Sequence, residues 1–411
     1  MPAIAFEYPE EVRAIRDGLD RFIRSEVVPR HERDAAIFED ERKLYDDDGR
    51  YHPAVLAHIR EVREAAARAG YYTMCVPESL GGQGLGHVAW FGAWERIFHA
   101  CAEQHWLGQY AISHWAFGPS AVLSRLTPQA RATVLPGLMS GRQSMCFGLS
   151  EPEAGSDAMM MKSRAERDGD GWRLNGGKIW TTNSPYAEFC IVFAVTDPGL
   201  AAQRKGGISA FLVPTDAPGF RVERVIRMWG SAGGNEAILH FDDVRIEPHQ
   251  LVGELHRGFS IAMLGVNLGR LFNSARAVGM SRWALERAFE YAKTRRAFGH
   301  PIAEYQGVTF PLADSATKVH AAHLTSLNAA QLLDRGMPAR KEIAMAKGFA
   351  TQVGAEAIDR AIQAHGAMGM TNELHLASAW KAVRKVNIAD GTNEILWRTI
   401  SKEMLDGDIE L

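Results

Sequence analysis

The chain of 411 residues has four cysteines, Cys75, Cys101, Cys146 and Cys190, and no CxxC pair among them. Scattered thiols of this kind argue against a disulfide framework or a structural zinc site and suit a reducing compartment. No uninterrupted apolar run reaches the roughly 18 residues that a membrane helix needs, so no span is expected. The opening MPAIAFEYPEEV is acidic and lacks a long apolar run. A secretory leader is therefore not expected, and the expected location is cytoplasmic. The net charge of −3 leaves no basic field for nucleic acid. GGQGLGH at 81–87 does not fit G-x-G-x-x-G, and no P-loop is present. Fifteen histidines supply neither H-E-x-x-H nor a Cys/His ligand spacing, so no metal site is expected.

What remains is a hydrophobic share of 46% and a charged share of 23%, a composition that builds large cores. The length allows roughly two or three structural units. Residues 1–143 read as a helical domain. Val12, Ile15, Leu19, Phe22 and Ile23 form one stripe, and Pro29 is expected to stop that helix. HPAVLAHIREVREAAARAG repeats the pattern and closes on Gly70 as a C-cap. Between them the charged stretch at 31–52 reads as a surface loop. Residues 144–254 change to short apolar runs, FCIVFAVTD and GISAFLVPTD, ending in Pro, Gly and Asp. WRLNGGKIW suggests a hairpin around Asn175-Gly176-Gly177, so this block is expected to be an antiparallel β-domain. Residues 255–411 return to long helices with short links, an antiparallel bundle of the four-helix kind. The expected class is α+β, mainly α.

Five motifs carry chemistry, each with a plainer alternative. CFGLSEPEAGSDA at 146–158 sets Ser150, Ser156 and Asp157 around Pro152 and Gly155, next to apolar Phe147 and Leu149. Such a turn either offers N–H groups and hydroxyls to a flat polar ring or simply enters the β-domain. In GGKIWTTN, Trp180 with Thr181 and Thr182 is either a plate and donors for a ring system or part of a strand core. KTRRAFG at 293–299 suits a pyrophosphate, or is a solvated helix end whose cations favour the dipole. AIQAHGAMGM at 361–370 allows close approach to a ligand or tight helix packing. NIADGTNEI at 387–395 places Asp390 either as a helix N-cap or as an enzymatic base.

In this order the motifs resemble the acyl-CoA dehydrogenase family, from about residue 75 to the C-terminus. VPESLGGQGLG, FGLSEPEAGSD, LNGGKIWTTN, FDDVRI, RRAFGHPIAEYQ, QAHGAMG and DGTNEI are collinear with it. The resemblance implies a helical–β–helical architecture, bound FAD, and a homotetramer or homodimer. It assigns Phe147, Leu149, Ser150 and Ser156 to the isoalloxazine, with Ser150 toward its pyrimidine edge. Trp180 covers one ring face, Thr181 lies alongside, and Thr182 bonds near N5. Arg295 and Gln306 resemble residues reaching the diphosphate of FAD bound mainly by a neighbouring subunit, and Phe298 a further cofactor contact. Gln363, Gly366, Ala367, Thr392 and Glu394 resemble further FAD contacts. Asn267, Arg270 and Gly391, together with Ser156, resemble substrate-binding residues.

The implied reaction is α,β-desaturation of an acyl-CoA thioester, with proton loss at Cα and hydride transfer from Cβ to flavin N5. Many members place Glu immediately before this Gly-Thr, where Asp390 stands here. Another branch carries its base just before the arginine that Arg270 resembles, and that position is Gly269. The resemblance therefore makes Asp390 the base, with a pKa expected to be raised by desolvation. It implies an electron-transfer flavoprotein as acceptor. An oxidase of the same fold, acting on nitroalkanes or acyl-CoA with oxygen, is the second reading. A non-catalytic flavoprotein is the third.

Overall fold

In the computed structural model, which describes residues 8–410, the first helix α1 (Glu10–Phe22) turns Val12, Leu19 and Phe22 inward. Pro29 does not stop it. The chain widens into a π turn at Ile23–Val27, where the Val28 N–H reaches the Ile23 carbonyl, and continues as α2 (Val28–Arg33). Proline has no N–H for an α turn and clashes with the carbonyl four residues back; a wider turn ahead of it relieves both. The charged 31–52 stretch is more ordered than a surface loop. It forms α3 (Ala35–Phe38) and a 3₁₀ turn at Glu41–Lys43. Its tyrosines anchor it: Tyr45 stacks on Tyr51 at 5.1 Å, and the Tyr51 N–H donates to the Tyr186 hydroxyl at 2.7 Å. Next comes α4 (Pro53–Arg68), capped by His52 Nδ1 on the Ala54 N–H and followed by Gly70 at φ +85°. The helix α5 (His87–Cys101) is buried nearly all round, and α6 (Pro128–Met139) is capped by Thr127.

The middle block is an eight-stranded sheet. Its strands are β1 (Met145–Gly148), β2 (Arg164–Asp168), β3 (Gly171–Thr182), β4 (Phe189–Val195), β5 (Ile208–Pro214), β6 (Phe220–Val225), β7 (Glu236–Ile246) and β8 (Leu251–Val252). A short helix α7 (Pro198–Ala202) joins β4 to β5. The order is β6-β7-β3-β2-β4-β5-β8, with β1 on β4. Pairing is antiparallel except for β1 with β4 and the single pair Arg164–Val195. The expected hairpin at Asn175-Gly176-Gly177 is not one. Strand β3 runs straight through, with an irregular register against β7 between Leu174 and Gly176. Gly176 has φ +137°, and a Cβ there would lie 2.5 Å from Ser163 Oγ, so close approach rather than a turn requires the glycine. The hairpin turn lies earlier, at Gly169-Asp170 between the paired Asp168 and Gly171.

The last block opens with α8 (Gly258–Thr294), then a two-stranded ribbon, β9 (Arg296–Ala297) and β10 (His300–Pro301). Four helices follow: α9 (Gln306–Asp334), α10 (Arg340–His365), α11 (Leu376–Val386) and α12 (Asn393–Leu405). Helix α10 packs against α9, α11 and α12. In α9, Leu312, Val319, His323, Leu327 and Ala330 face inward, and Gly336 follows at φ +76°.

The chain forms two compact units. One comprises the chain up to Val28, Leu85–Gln109 and everything from Asn267; the other comprises Pro29–Gly84 and Tyr110–Val266. In the helical unit Trp94 meets Phe272 edge-on at 4.7 Å. Fully buried Glu95 pairs there with Arg16 at 3.1 Å, Arg282 at 2.6 Å and His323 at 3.1 Å. Burial pushes the Glu95 carboxyl up, but these partners outweigh it and hold the group well below the usual range. Four helices, α1, α5, α8 and α9, thus meet at one carboxylate. In the sheet unit Trp172, Leu174, Phe211, Phe241 and their neighbours form the core. Among the described residues no helix is long and apolar enough to cross a membrane.

Candidate active site

Asp390 lies in the helical unit, in the turn between α11 and α12. It has φ +54°, and Gly391 follows at φ +93°. It is not the N-cap of α12. Thr392 takes that role, its Oγ1 accepting from the Ile395 N–H at 3.4 Å. Asp390 is instead held inward. Its Oδ2 accepts from Asn273 Nδ2 at 2.8 Å, and its carbonyl accepts from Arg270 Nε at 3.0 Å. Arg270 also donates to Asn267 Oδ1 at 3.1 Å. Lys347 Nζ donates to the Gly391 carbonyl at 2.8 Å. Burial raises the Asp390 carboxyl to about 6, against the lowering fields of Lys347 and Arg270 and the bond from Asn273. Burial likewise depresses Lys347 to about 8 and lowers Arg270. A carboxylate poised near neutrality and fixed at both its side chain and its backbone can take a proton from a weak carbon acid.

The sheet unit holds a second group. Strand β1 runs into the loop Leu149–Asp157, which is tied to β3 by a buried ion pair. Lys178 Nζ donates to Glu151 Oε1 at 2.6 Å and to the Leu149 carbonyl at 3.2 Å. Glu151 in turn accepts from the Lys162 and Ser163 N–H groups at 2.5 and 3.1 Å. The Ile179 N–H donates to the Ser150 carbonyl at 2.9 Å, so the loop lies along β3. Two residues farther on, β3 carries a bulge against β7 between Lys178 and Thr181. Trp180 sits in it at φ +61° and is 53% exposed, so it is not a core residue. A bulge re-aims a side chain in this way. Among the described residues the hydroxyls of Ser150, Ser156 and Thr182 make no hydrogen bond, and Thr181 Oγ1 is buried without one. A flat exposed indole beside uncommitted hydroxyls fits a planar ring with polar edges, as the isoalloxazine of FAD is. Phe147 differs: it is buried and packs on Trp115 and Phe193, each at 4.8 Å, leaving only its backbone to face a ligand. Leu149 is half-buried.

The other expected cofactor residues lie in the helical unit, on its surface. Arg295 follows α8, and the ribbon turn beyond it presents Phe298 at φ +51° and 95% exposed. Gln306 begins α9 and is exposed, as are Gln363, Gly366 and Ala367 at the end of α10. Exposed Glu394 accepts from its own N–H and from the Thr392 hydroxyl, which lower its pKa. No hydrogen bond joins Arg295, Gln306 or Gln363 to the Asp390 turn among the described residues. Two supports of Asp390 escaped the sequence reading. Asn273 follows Arg270 by one helical turn, a spacing that places both on one face. Lys347, from α10, left no local signal. Among the described residues no group of three or more His, Cys, Asp or Glu could hold a metal ion.

Three family profiles cover nearly the whole chain: acyl-CoA dehydrogenase N-terminal domain at 9–142, middle domain at 146–244 and C-terminal domain at 256–405. The short-chain specific acyl-CoA dehydrogenase of Homo sapiens mitochondria is 38% identical over 336 residues, 82% of this chain and 80% of the relative. The butyryl-CoA dehydrogenase structure from Megasphaera elsdenii superposes with a TM-score of 0.83 at 26% identity, covering 98% of this chain and 100% of that one. An FAD complex of PigA gives a TM-score of 0.83 at 25% identity, covering 98% and 99%.

Proposed function

Because the chain belongs to the acyl-CoA dehydrogenase family of FAD-dependent oxidoreductases, we propose that Asp390 is the base in the α,β-desaturation of an acyl-CoA thioester. The observation that carries this reading is the Asp390 carboxyl itself, half-buried at a fixed turn, bonded to Asn273 and raised to about 6. Bound FAD supplies the hydride acceptor. The chain supplies the rest.

Asp390 removes the Cα proton and holds it on its carboxyl. The carbon acid is weak, so charge developing on the thioester oxygen needs a donor, and the Asp390 backbone N–H is assigned that role. Asn273 fixes one carboxyl oxygen; among the described residues no donor reaches Oδ1, which is free to receive the proton. Ser150, Thr181, Thr182 and Trp180 hold the ring system, while Arg295, Phe298, Gln306, Gln363, Gly366, Ala367, Thr392 and Glu394 complete cofactor binding. Asn267, Arg270, Gly391 and Ser156 bind the substrate. The surface position of Arg295, Phe298, Gln306 and Gln363 supports their reaching the cofactor of a neighbouring subunit in a homotetramer or homodimer. The names of the similar proteins favour a short acyl chain, and an electron-transfer flavoprotein is the proposed acceptor.

Anaerobic addition of acyl-CoAs of graded length tests the reading. Short thioesters should bleach the bound flavin within the mixing time. A flavin left oxidised by every acyl-CoA would refute it, and rapid oxygen uptake without added acceptor would move the assignment to an oxidase of the same fold.

A further inference from the structure

The Asp390 turn is built from two successive left-handed residues, and each of its carbonyls accepts from a buried cation on a different helix. Arg270, on α8, takes the Asp390 carbonyl at 3.0 Å; Lys347, on α10, takes the Gly391 carbonyl at 2.8 Å. Left-handed backbone at Asp390 carries strain that the surroundings must overcome. Gly391 adds none, and a Cβ introduced there would lie 3.3 Å from Arg270 Nη2.

Lys347 is fully buried and meets no carboxylate within 4.0 Å among the described residues. Its other partner is Asn393 Oδ1 at 3.2 Å, an oxygen that also accepts from Thr351 Oγ1 at 3.2 Å. Asn393 closes the arrangement by donating from its backbone to the Asn387 carbonyl at 3.1 Å, across the whole turn. A buried ammonium held only by neutral oxygens is costly, so its place beside the half-buried Asp390 turn calls for a reason.

We propose that Lys347 is the positioning residue of this site: through the Gly391 carbonyl it locks the turn that aims Asp390, and through its charge it sets the pH at which Asp390 becomes a competent base. The proposal rests on Asp390 being that base. The charged groups facing the carboxylate are Arg270 and Arg276 from α8 and Lys347 from α10; Glu394, from α12, faces Lys347. Only Lys347 among the cations titrates near neutrality, because burial depresses it to about 8. Removing its charge leaves the carboxylate less stabilised, so the proton leaves Asp390 at higher pH.

Lys347→Met removes both charge and donor; Lys347→Gln removes the charge and keeps a donor. In flavin-loaded protein, the acid limb of flavin reduction by acyl-CoA should rise by about one pH unit in both variants. In Lys347→Met the plateau rate should also fall about tenfold or more, as expected when a reacting group is misplaced, with KM close to that of the parent. A separate readout is the infrared band of the protonated carboxyl that Asp390→Asn abolishes; its pH midpoint should rise in parallel. A lysine that merely supports the fold would lower Tm and flavin content and leave both midpoints in place, and that result overturns the proposal. Should Lys347→Met not fold, Lys347→Gln alone decides through the limb and the band. If Asp390→Asn retains turnover, the base assignment fails instead, and the infrared midpoint still reports whether Lys347 governs Asp390.

Discussion

Asp390 sits in a left-handed turn at φ +54°, its carbonyl bonded to Arg270 and the next carbonyl to Lys347. At the residue scale its protonation has two consequences of opposite use. The proposed base acts only when ionised, so on that proposal the rate of flavin reduction should rise as pH increases through about 6 and then level, which stopped-flow bleaching across pH 5–8 measures. Asp390→Asn should abolish that reduction while the protein keeps its FAD. For stability the sign reverses. The folded carboxyl is raised from 3.8 to about 6, so the folded state binds the proton more tightly than the unfolded chain. The contribution is fully present below about pH 4 and lost as pH climbs to about 6, on the order of 2 kcal/mol after solvent screening. Asp390→Asn should therefore gain Tm relative to the parent at pH 7 and not at pH 4. Nothing local in NIADGTNEI distinguishes base from cap. The pair Thr392–Ile395 takes the cap, and burial does the rest, and burial is supplied by residues more than 40 positions away.

At the scale of elements, two devices aim the site. One is the N-cap of α12, which starts the helix two residues after Asp390. Thr392→Ala should cost about 1 kcal/mol, read from chemical denaturation, and should slow flavin reduction by loosening the turn. The other is the buried Lys178–Glu151 pair, which fastens the loop carrying Ser150 and Ser156 onto β3. Glu151→Ala leaves a buried ammonium alone. It should cost about 3–5 kcal/mol and lower the flavin content of purified protein, measured by the ratio of visible to ultraviolet absorbance. The elements themselves were largely legible. The α1 stripe follows from 3.6-residue spacing, and the apolar runs of β4 and β5 from their length and their flanking breakers. Three local readings were wrong for identifiable reasons. Pro29 is tolerated because a π turn precedes it. Gly176 marks a close approach to Ser163, while the true turn at Gly169-Asp170 carries a Gly-Asp signature, with Gly169 at φ +63°. The 31–52 stretch reads as loop because its charges outnumber its tyrosines, yet Tyr45 and Tyr51 decide where it packs.

Across the whole molecule, the expected contacts for FAD are divided: uncommitted hydroxyls and the Trp180 face in the sheet unit, and exposed Arg295, Phe298, Gln306 and Gln363 in the helical unit. If the latter serve a neighbouring subunit, cofactor retention and assembly are linked by mass action. Arg295→Ala should then release FAD more readily and shift the sedimentation profile toward smaller species, and added FAD should reverse both. The sequence by itself determined the helical–sheet–helical order and, through motifs that resemble those of the family, the family and its cofactor. These follow from periodicity and from short collinear motifs, which are local. Tertiary structure alone decided that Trp180 faces outward, that Thr392 and not Asp390 caps α12, that Asn273 holds the carboxylate and that Lys347 bonds the Gly391 carbonyl beside it. Each of those depends on what burial and hydrogen bonding bring together from distant segments, and no spacing rule encodes the environment that sets a pKa.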